Sequence, residues 1–181
     1  IIKSKMFSRV VIGANDPNPK ASGGAEILKN NNIDVKENVC AENSKKLNKR
    51  FFTYFEKKRP YVILKIASTL DGFIAETNGH SKWITNEKSR QSVHKLRSSC
   101  DAILVGRKTI EADNPSLTSH GYGKNPKIVI LDSQNKVNPK SKVYKNKPIV
   151  FTNKDLVNDP KKNTIYILKK LYNRSYQTLL V

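Results

Sequence analysis

Short apolar runs alternate with longer amphipathic stretches along most of the chain, and this alternation predicts an α/β fold. The clearest runs predict strands at Tyr61–Ala67, Ala102–Gly106 and Lys127–Leu131. Tyr61–Ala67 is nearly continuous in apolar residues, which is typical of a strand covered on both faces. We therefore predict a mixed sheet with helices on both faces.

Stretches with apolar residues at helical spacing lie between these predicted strands. The stretch Asn86–Ser98 has Thr85 as its predicted N-cap, and Val93 and Leu96 supply its apolar stripe. Arg107–Ala112 predicts a helical turn directly after the second of the three strands.

The end of the chain predicts three further pieces. Thr164–Leu168 has the composition of a strand, Lys170–Gln177 that of a short helix or turn, and Leu179–Val181 that of a buried strand. A domain rarely stops inside such a strand, and Ile1 is not a methionine. We therefore expect the natural protein to continue beyond both ends.

The beginning of the chain predicts a βαβα segment. Its strands are Arg9–Gly13 and Ile33–Val35, with a helix Gly23–Asn31 between them that Ser22 is expected to cap. A longer helix is predicted at Glu42–Lys57, where aromatic residues repeat at helical spacing.

A charged stretch that ends in proline, Lys57–Pro60, separates this segment from the rest. Proline disfavours helix in the residue before it, so the stretch predicts a boundary. We expect two domains, residues 1–57 and 60–181.

The net charge of +19, from 34 basic and 15 acidic side chains, raises the alternative of nucleic-acid binding. The lysines are scattered and do not alternate with aromatic residues as in a base-stacking surface. A solvated lysine-rich surface therefore explains the charge better, and we expect no specific nucleic-acid partner. Such a surface would still attract phosphorylated metabolites.

Two further observations concern location. No apolar run approaches the roughly 18–20 residues of a membrane span, so no membrane association is expected. Cys40 and Cys100 lack the spacing of a disulfide framework or a zinc site, which favours a reducing cytoplasm.

Lys65 interrupts the apolar run of the first strand. By period-two alternation it shares a face with Ile63 and Ala67, near the carboxyl end of that strand. Ligands bind at the carboxyl ends of strands in open α/β sheets, so Lys65 is a candidate site residue. The alternative is an edge strand with Lys65 directed to solvent.

Other polar or aromatic residues lie where a ligand could reach them. Trp83 precedes a helix and could stack on a flat ring or fill the core. His94 and Arg97 are three residues apart and so lie side by side on one helix. Asp113 precedes a turn, and Asp132–Ser133 ends a strand.

Five blocks, in this order and at these intervals, resemble the reductase half of the bifunctional riboflavin-biosynthesis deaminase–reductase family. They are RPYVILKIASTLDG (Arg59–Gly72), SKWIT (Ser81–Thr85), HKLR (His94–Arg97), DNPSLT (Asp113–Thr118) and KIVILDS (Lys127–Ser133). The resemblance implies a dihydrofolate-reductase-like domain, preceded by the remnant of a cytidine-deaminase-like α/β domain.

The resemblance also implies an activity. An NADPH-dependent oxidoreductase of this family reduces 5-amino-6-(5-phosphoribosylamino)uracil, a phosphorylated pyrimidine, to the ribitylamino phosphate. The zinc motifs of the deaminase would precede Ile1, so no metal ligand is expected in this chain. A homo-oligomer is expected. The alternative is a stand-alone dihydrofolate-reductase-like enzyme with another substrate, although the deaminase-like leader argues against it.

Matching positions imply roles for individual residues. The cofactor-contacting positions are Ala67, Trp83, Thr109, Asp113 and Ser133. The substrate-contacting positions are Ser81, Arg97, Leu117 and His120, and His120 stands where many members carry a second arginine. Lys65 and Asp113 are the candidates to position or supply a proton during catalysis.

Overall fold

The computed structural model of the chain describes residues 2–3 and 6–181, and Ile1, Ser4 and Lys5 of the predicted first domain lie outside the described residues. The chain divides into two units, residues 1–61 and 62–181. Among the described residues, none of the helices combines the length and the apolar character that crossing a membrane requires.

The described residues of the first unit form two short parallel strands and three helices. They follow the order β1 (Arg9–Val11), α1 (Gly24–Asn30), β2 (Asp34–Lys36), α2 (Ala41–Leu47) and α3 (Lys49–Lys57). This order agrees with the predicted βαβα segment. Ser22 does not cap α1, however, because its hydroxyl donates to the Pro19 carbonyl and Gly23 precedes the helix.

The prediction of a single helix over Glu42–Lys57 is wrong, because the helix is interrupted at Asn48. The backbone N–H and the side-chain amide of Asn48 both donate to the Ser44 carbonyl, which closes α2. The interruption changes the apolar face: Phe52 is buried, whereas Leu47 is 86% exposed.

A five-stranded sheet forms the middle of the second unit. Its strands are β3 (Tyr61–Ile63), β4 (Ala102–Gly106), β5 (Lys127–Leu131), β6 (Ile149–Phe151) and β7 (Thr178–Leu180), in the spatial order β3-β7-β4-β5-β6. The registers of β4 with β5 and β7, and of β5 with β6, are parallel. The α/β class is confirmed. A mixed sheet was expected, but these pairings are all parallel among the described residues.

Helices cover both faces of this sheet, as predicted. Along β4, Ile103 joins one apolar cluster and Ala102 joins the other, as strand alternation requires. Ile110 of helix α5 (Arg107–Asp113) belongs to the first cluster. Ile167 and Leu171 of helix α6 (Pro160–Asn173) belong to the second cluster.

The predicted strand Thr164–Leu168 is wrong, because it lies in the middle of α6 (Pro160–Asn173). The Asp159 carboxylate accepts hydrogen bonds from two backbone N–H groups of the first turn, and Pro160 occupies a position where its missing N–H costs nothing. The β-branched run favoured a strand locally, but the cap and the packed helical face decided the structure.

The predicted strand Tyr61–Ala67 is too long, because β3 ends at Ile63. β3 lies at the edge of the sheet, and the apolar side chains beyond it are not covered on both faces: Leu64 is 67% and Ile66 is 64% exposed. β3 is therefore an edge strand, as the alternative expected, and Lys65 is an exposed residue.

Candidate active site

A cleft of about 460 Å³ opens beside helix α4 (Glu87–Ser98) and the segment that follows β3. It brings together side chains that are up to 55 positions apart in the sequence, from Lys65 to His120. Seven of the predicted site residues line this first cleft: Lys65, Ala67, Ser81, Trp83, Arg97, Asp113 and His120.

A second cleft, of about 450 Å³, adjoins the first and shares Lys65, Arg97 and Asp113 with it. The carboxyl end of β4 forms one of its walls, and Thr109 and Leu117 line it as well. The two clefts together therefore contain nine of the ten predicted positions.

Ser133 is the predicted position that lines neither cleft. It lies at the carboxyl end of β5, where its carbonyl accepts a hydrogen bond from the Asn153 N–H. Next to it, Asp132 is buried and accepts a hydrogen bond from the Val137 N–H at 2.7 Å. Burial, and then the charge of Asp132, raise the pKa of Tyr144.

Helix α4 places Arg97 in the wall of both clefts. The helix begins one residue later than predicted, because the side chain of Asn86 rather than Thr85 accepts the capping hydrogen bond from the Ser89 N–H. Arg97 Nη1 donates to the Thr118 carbonyl at 3.3 Å.

The Nε atom of Arg97 is buried and has no hydrogen-bond partner among the described residues. Burial also lowers the pKa of Arg97, although a guanidinium of this kind stays charged. Arg97 is therefore a charged residue in the wall of both clefts, and its positive charge favours an anion there.

Two histidine rings lie next to Arg97. The rings of His94 and His120 have centroids 4.1 Å apart, and Arg97 Nη1 lies 3.4 Å from His94 Nδ1. Burial lowers the pKa of His94, and the nearby His120, Arg97 and Arg90 lower it further. The His94 ring is therefore neutral around neutral pH, and it can accept a hydrogen bond from Arg97.

Trp83 is 72% exposed, which excludes the alternative that it fills the core. The guanidinium of Arg90 lies 4.2 Å from the centre of its ring, and Arg90 is itself fixed by a 2.6 Å hydrogen bond to the Thr85 carbonyl. This arrangement holds the indole at the edge of the first cleft with much of its surface available for stacking.

Asp113 lies at the end of α5 and is the carboxylate that the two clefts share. Lys82 Nζ is 3.4 Å from its Oδ1, in a pair that is about half exposed. The Asn114 side chain accepts a hydrogen bond from the Lys142 N–H, which fixes the backbone next to Asp113.

The first cleft has a strong excess of positive charge. It contains four permanent cations and a single carboxylate: Lys65, Lys82, Arg90, Arg97 and Asp113. Sequence reasoning missed Lys82 and Arg90, although both lie within or next to the SKWIT and HKLR blocks. Such a cleft favours an anionic small molecule.

No group that could hold a metal ion occurs within the described ranges, where no three His, Cys, Asp or Glu side chains come together. What the second unit does present is a parallel α/β sheet with a cationic cleft at the end of its edge strand. These features define an α/β domain with a positively charged cleft of a kind that suits an anionic small molecule.

The chain belongs to the RibD C-terminal domain family, whose model matches residues 60–181. It is 44% identical over 161 residues to the riboflavin biosynthesis protein RibD of Aquifex aeolicus, a match that covers 86% of this chain and 45% of that protein. The chain spans about half the length of such relatives.

Two solved structures are also similar to this chain. A deaminase/5-amino-6-(5-phosphoribosylamino)uracil reductase from Thermotoga maritima is 42% identical with a TM-score of 0.86, over 100% of this chain and 55% of that one. RibD from Acinetobacter baumannii is 29% identical with a TM-score of 0.81, over 99% of this chain and 55% of that one. Both likenesses extend over the two units.

Proposed function

We propose that this chain carries the reductase of riboflavin biosynthesis, which uses NADPH to reduce 5-amino-6-(5-phosphoribosylamino)uracil to the ribitylamino phosphate. The main support is that seven predicted site positions meet in one cationic cleft. The printed activity of the Thermotoga protein, which is 42% identical, supports the same reaction.

We propose that a dinucleotide cofactor binds in the second cleft. Gly106 lines it, and a Cβ added there would meet no atom within 4 Å, so the missing side chain leaves open space beside the backbone. Trp83 offers an exposed ring for stacking at the adjoining edge. We propose that Ala67, Thr109, Asp113 and Ser133 complete the cofactor site, in which the bound dinucleotide would supply a hydride.

The substrate is proposed to lie in the first cleft, with its phosphate near Arg97. The position of Arg97 in the wall of this cleft supports the placement, because a guanidinium binds phosphate through several N–H donors. Ser81 of the first cleft would contact the rest of the substrate, and Leu117 would contact it from the adjoining second cleft. The buried Leu117 offers an apolar surface, and the exposed Ser81 offers a hydroxyl.

The reduction adds a hydride to the sugar carbon bonded to nitrogen. The bond from that carbon to the ring oxygen breaks, and the net proton ends on that oxygen, so that the ribose ring is opened. Lys65 and Asp113 line both clefts, so either can lie near this bond. We propose that they position or supply the proton, and the 3.4 Å contact between Lys82 Nζ and Asp113 Oδ1 helps to hold the Asp113 side chain in place. If Lys65→Met in the complete natural protein leaves turnover unchanged, Lys65 has no such role.

Residues 1–57 are proposed to be the end of a deaminase domain, with residues 60–181 as the reductase domain. The likeness to the Thermotoga deaminase/reductase over the whole chain supports this division. The zinc of such a deaminase would then be held outside this sequence. A cytoplasmic location is part of the proposal, and Cys40 and Cys100 are not joined by a disulfide. The expected homo-oligomer stays a prediction that sedimentation can test.

The test is NADPH oxidation by the complete natural protein that carries this sequence, with and without the pyrimidine substrate. Oxidation that depends on substrate is expected, and Arg97→Met should lower kcat/KM by about 100-fold because a charged hydrogen-bond donor is lost. Arg174→Met is the matched control, since Arg174 is exposed and lies outside both clefts. A well-folded protein that oxidises no NADPH with substrate would contradict the proposal.

A further inference from the structure

Arg90 is a cation of the first cleft to which the proposed function gives no role. Its guanidinium carbon lies over the indole of Trp83, 4.2 Å from the centre of the ring, and its Nη1 donates to the Thr85 carbonyl at 2.6 Å. Arg90 and Trp83 both line the first cleft. Because Trp83 is 72% exposed, the contact covers only part of the indole and leaves the rest open to a ligand.

The contacts of Arg90 tie it to the start of helix α4 and to the loop before that helix. The Arg90 backbone N–H donates to the Asn86 carbonyl, and the Asn86 side chain caps the helix. The guanidinium then reaches back past this cap to the Thr85 carbonyl and to the Trp83 ring. The negative face of an indole attracts a cation, so Arg90 restricts the orientations that Trp83 can adopt.

The charge of Arg90 matters because the two oxidation states of nicotinamide differ in charge. The reduced ring is neutral, whereas the oxidised ring is a cation. Against Trp83, an oxidised ring would compete with Arg90 for the negative charge of the same indole, and the guanidinium would repel it. A neutral ring meets neither effect. Two unit charges that lie several ångströms apart near a protein surface interact strongly enough to change an affinity about tenfold.

The other charged groups of the first cleft add to this repulsion. Three further permanent cations line it beside a single carboxylate: Lys65, Lys82, Arg97 and Asp113. Trp83 also borders a neighbouring cavity that contains two more carboxylates, Asp71 and Glu76. Both are exposed and lie outside the first cleft, so solvent and salt screen them and the excess of positive charge around Arg90 persists.

We propose that Arg90 positions the indole of Trp83 for the cofactor and makes the site prefer the reduced, neutral nicotinamide ring to the oxidised, cationic one. Arg90 is then a positioning residue that also promotes the exchange of spent cofactor for reduced cofactor. The inference rests on the proposed function for the identity of the cofactor and for its contact with Trp83.

The test is calorimetric titration of the complete natural protein that carries this sequence, with NADPH and with NADP⁺. NADP⁺ is expected to bind about tenfold more weakly. Arg90→Met should reduce this ratio to less than about threefold, whereas Arg90→Lys keeps a cation and should retain most of it. Arg174→Met is the matched control, since it removes the same charge from an exposed position outside the cleft and should leave the ratio unchanged.

A second readout reports on Trp83 without any cofactor. Trp83 is the one tryptophan of this sequence, and subtracting the emission of a Trp83→Phe variant isolates its fluorescence from that of any other tryptophan. Arg90→Met should increase the quenching of Trp83 fluorescence by acrylamide, because the part of the indole that the guanidinium covers becomes accessible. Arg174→Met should not change it. Thermal unfolding of each variant identifies a folding defect.

Equal affinities of the unaltered protein for the two forms, or an unchanged ratio in Arg90→Met, would overturn the inference. Unchanged acrylamide quenching in a folded Arg90→Met protein would overturn it as well. A purely structural role of Arg90 predicts that both forms weaken equally, which leaves the ratio unchanged. A preference for NADPH that depends on Arg90, without reduction of the pyrimidine, would contradict the proposed function alone. Reduction of the pyrimidine by a protein that binds both forms equally would contradict this inference alone.

Discussion

Two parts of the second unit carry large apolar residues in very different surroundings. The strands β4 and β5 lie inside the sheet, where Ala102, Val129 and Ile130 are completely buried. The segment after β3 runs along the edge, where Leu64 and Leu70 are largely exposed. An apolar run therefore becomes a buried strand only when neighbours cover both of its faces.

The candidate site uses both parts. Arg97 and Asp113 come from helices that pack against, or follow, the buried strands, whereas Ser81 and Trp83 come from the exposed segment. We infer that the buried part fixes the position of the charged residues and that the exposed part contacts the ligands. Substitutions in the first part should lower stability, and those in the second should alter binding.

The largest effect is expected for Ile130→Ala. Ile130 is completely buried in β5, so its truncation leaves a cavity and should lower the free energy of unfolding by about 2–5 kcal/mol. Ile66→Ala is the matched control: at 64% exposure it should change stability by no more than about 0.5 kcal/mol. Urea unfolding measures both, and equal losses would contradict the comparison.

The next effect concerns the hydrogen bonds that join β4 to β7. The Asp101 carboxylate accepts from the Gln177 N–H, the Thr178 N–H and the Thr178 hydroxyl, each at 2.9 Å. Asp101→Ala should therefore cost about 1–3 kcal/mol of unfolding free energy, because it leaves these donors unpaired. Thr69→Ala removes only local bonds to Phe73 and should cost less than about 1 kcal/mol. A larger loss of unfolding free energy for Thr69→Ala than for Asp101→Ala would contradict this prediction.

Substitutions in the exposed segment should change ligand binding rather than stability. Trp83→Ala should weaken NADPH binding several-fold to about tenfold, as the loss of one aromatic stacking contact predicts. Its cost in stability should stay below about 1 kcal/mol, because the contact with Arg90 is the main interaction lost. Ile165→Ala, 67% exposed on α6, should change neither quantity. Fluorescence titration with NADPH measures the first effect.

The smallest effect is a pH dependence of stability. The pKa of His94 is lowered in the folded chain, so below about pH 6.5 the unfolded chain binds more protons than the folded one. His94 therefore costs no stability above that pH and destabilises the fold progressively below it. Melting temperatures at about pH 5 and 8 should differ less in His94→Gln than in the unaltered chain. An equal or larger difference in the variant would show that other groups cause the trend.

Sequence reasoning succeeded where local pattern and burial agree. The ranges of β4 and β5 and the start of α5 were predicted as they are found, because each apolar run is short, continuous and covered. The strand β6 and the short 3₁₀ helix at Lys142–Asn146 were not predicted, since their few residues carry no periodicity.

Sequence reasoning failed where an overlooked helix cap or a long-range contact decides the structure. β-branching around Ile165 suggested a strand, whereas the better signal was Asp159 followed by Pro160, which marks the start of a helix. The extent of β3 depends on its position at the sheet edge, which no single run reveals. Among the site residues, Lys82 could have been found from its position next to Trp83, but its contact with Asp113 required the structure.

The most direct test of the central claim is the mass of the product. The complete natural protein would be incubated with NADPH and 5-amino-6-(5-phosphoribosylamino)uracil, and the products analysed by mass spectrometry. The account predicts a product heavier than the substrate by two hydrogen atoms, formed in step with NADPH consumption and suppressed by Arg97→Met. NADPH consumption without that product, or an unchanged yield in the variant, would contradict it.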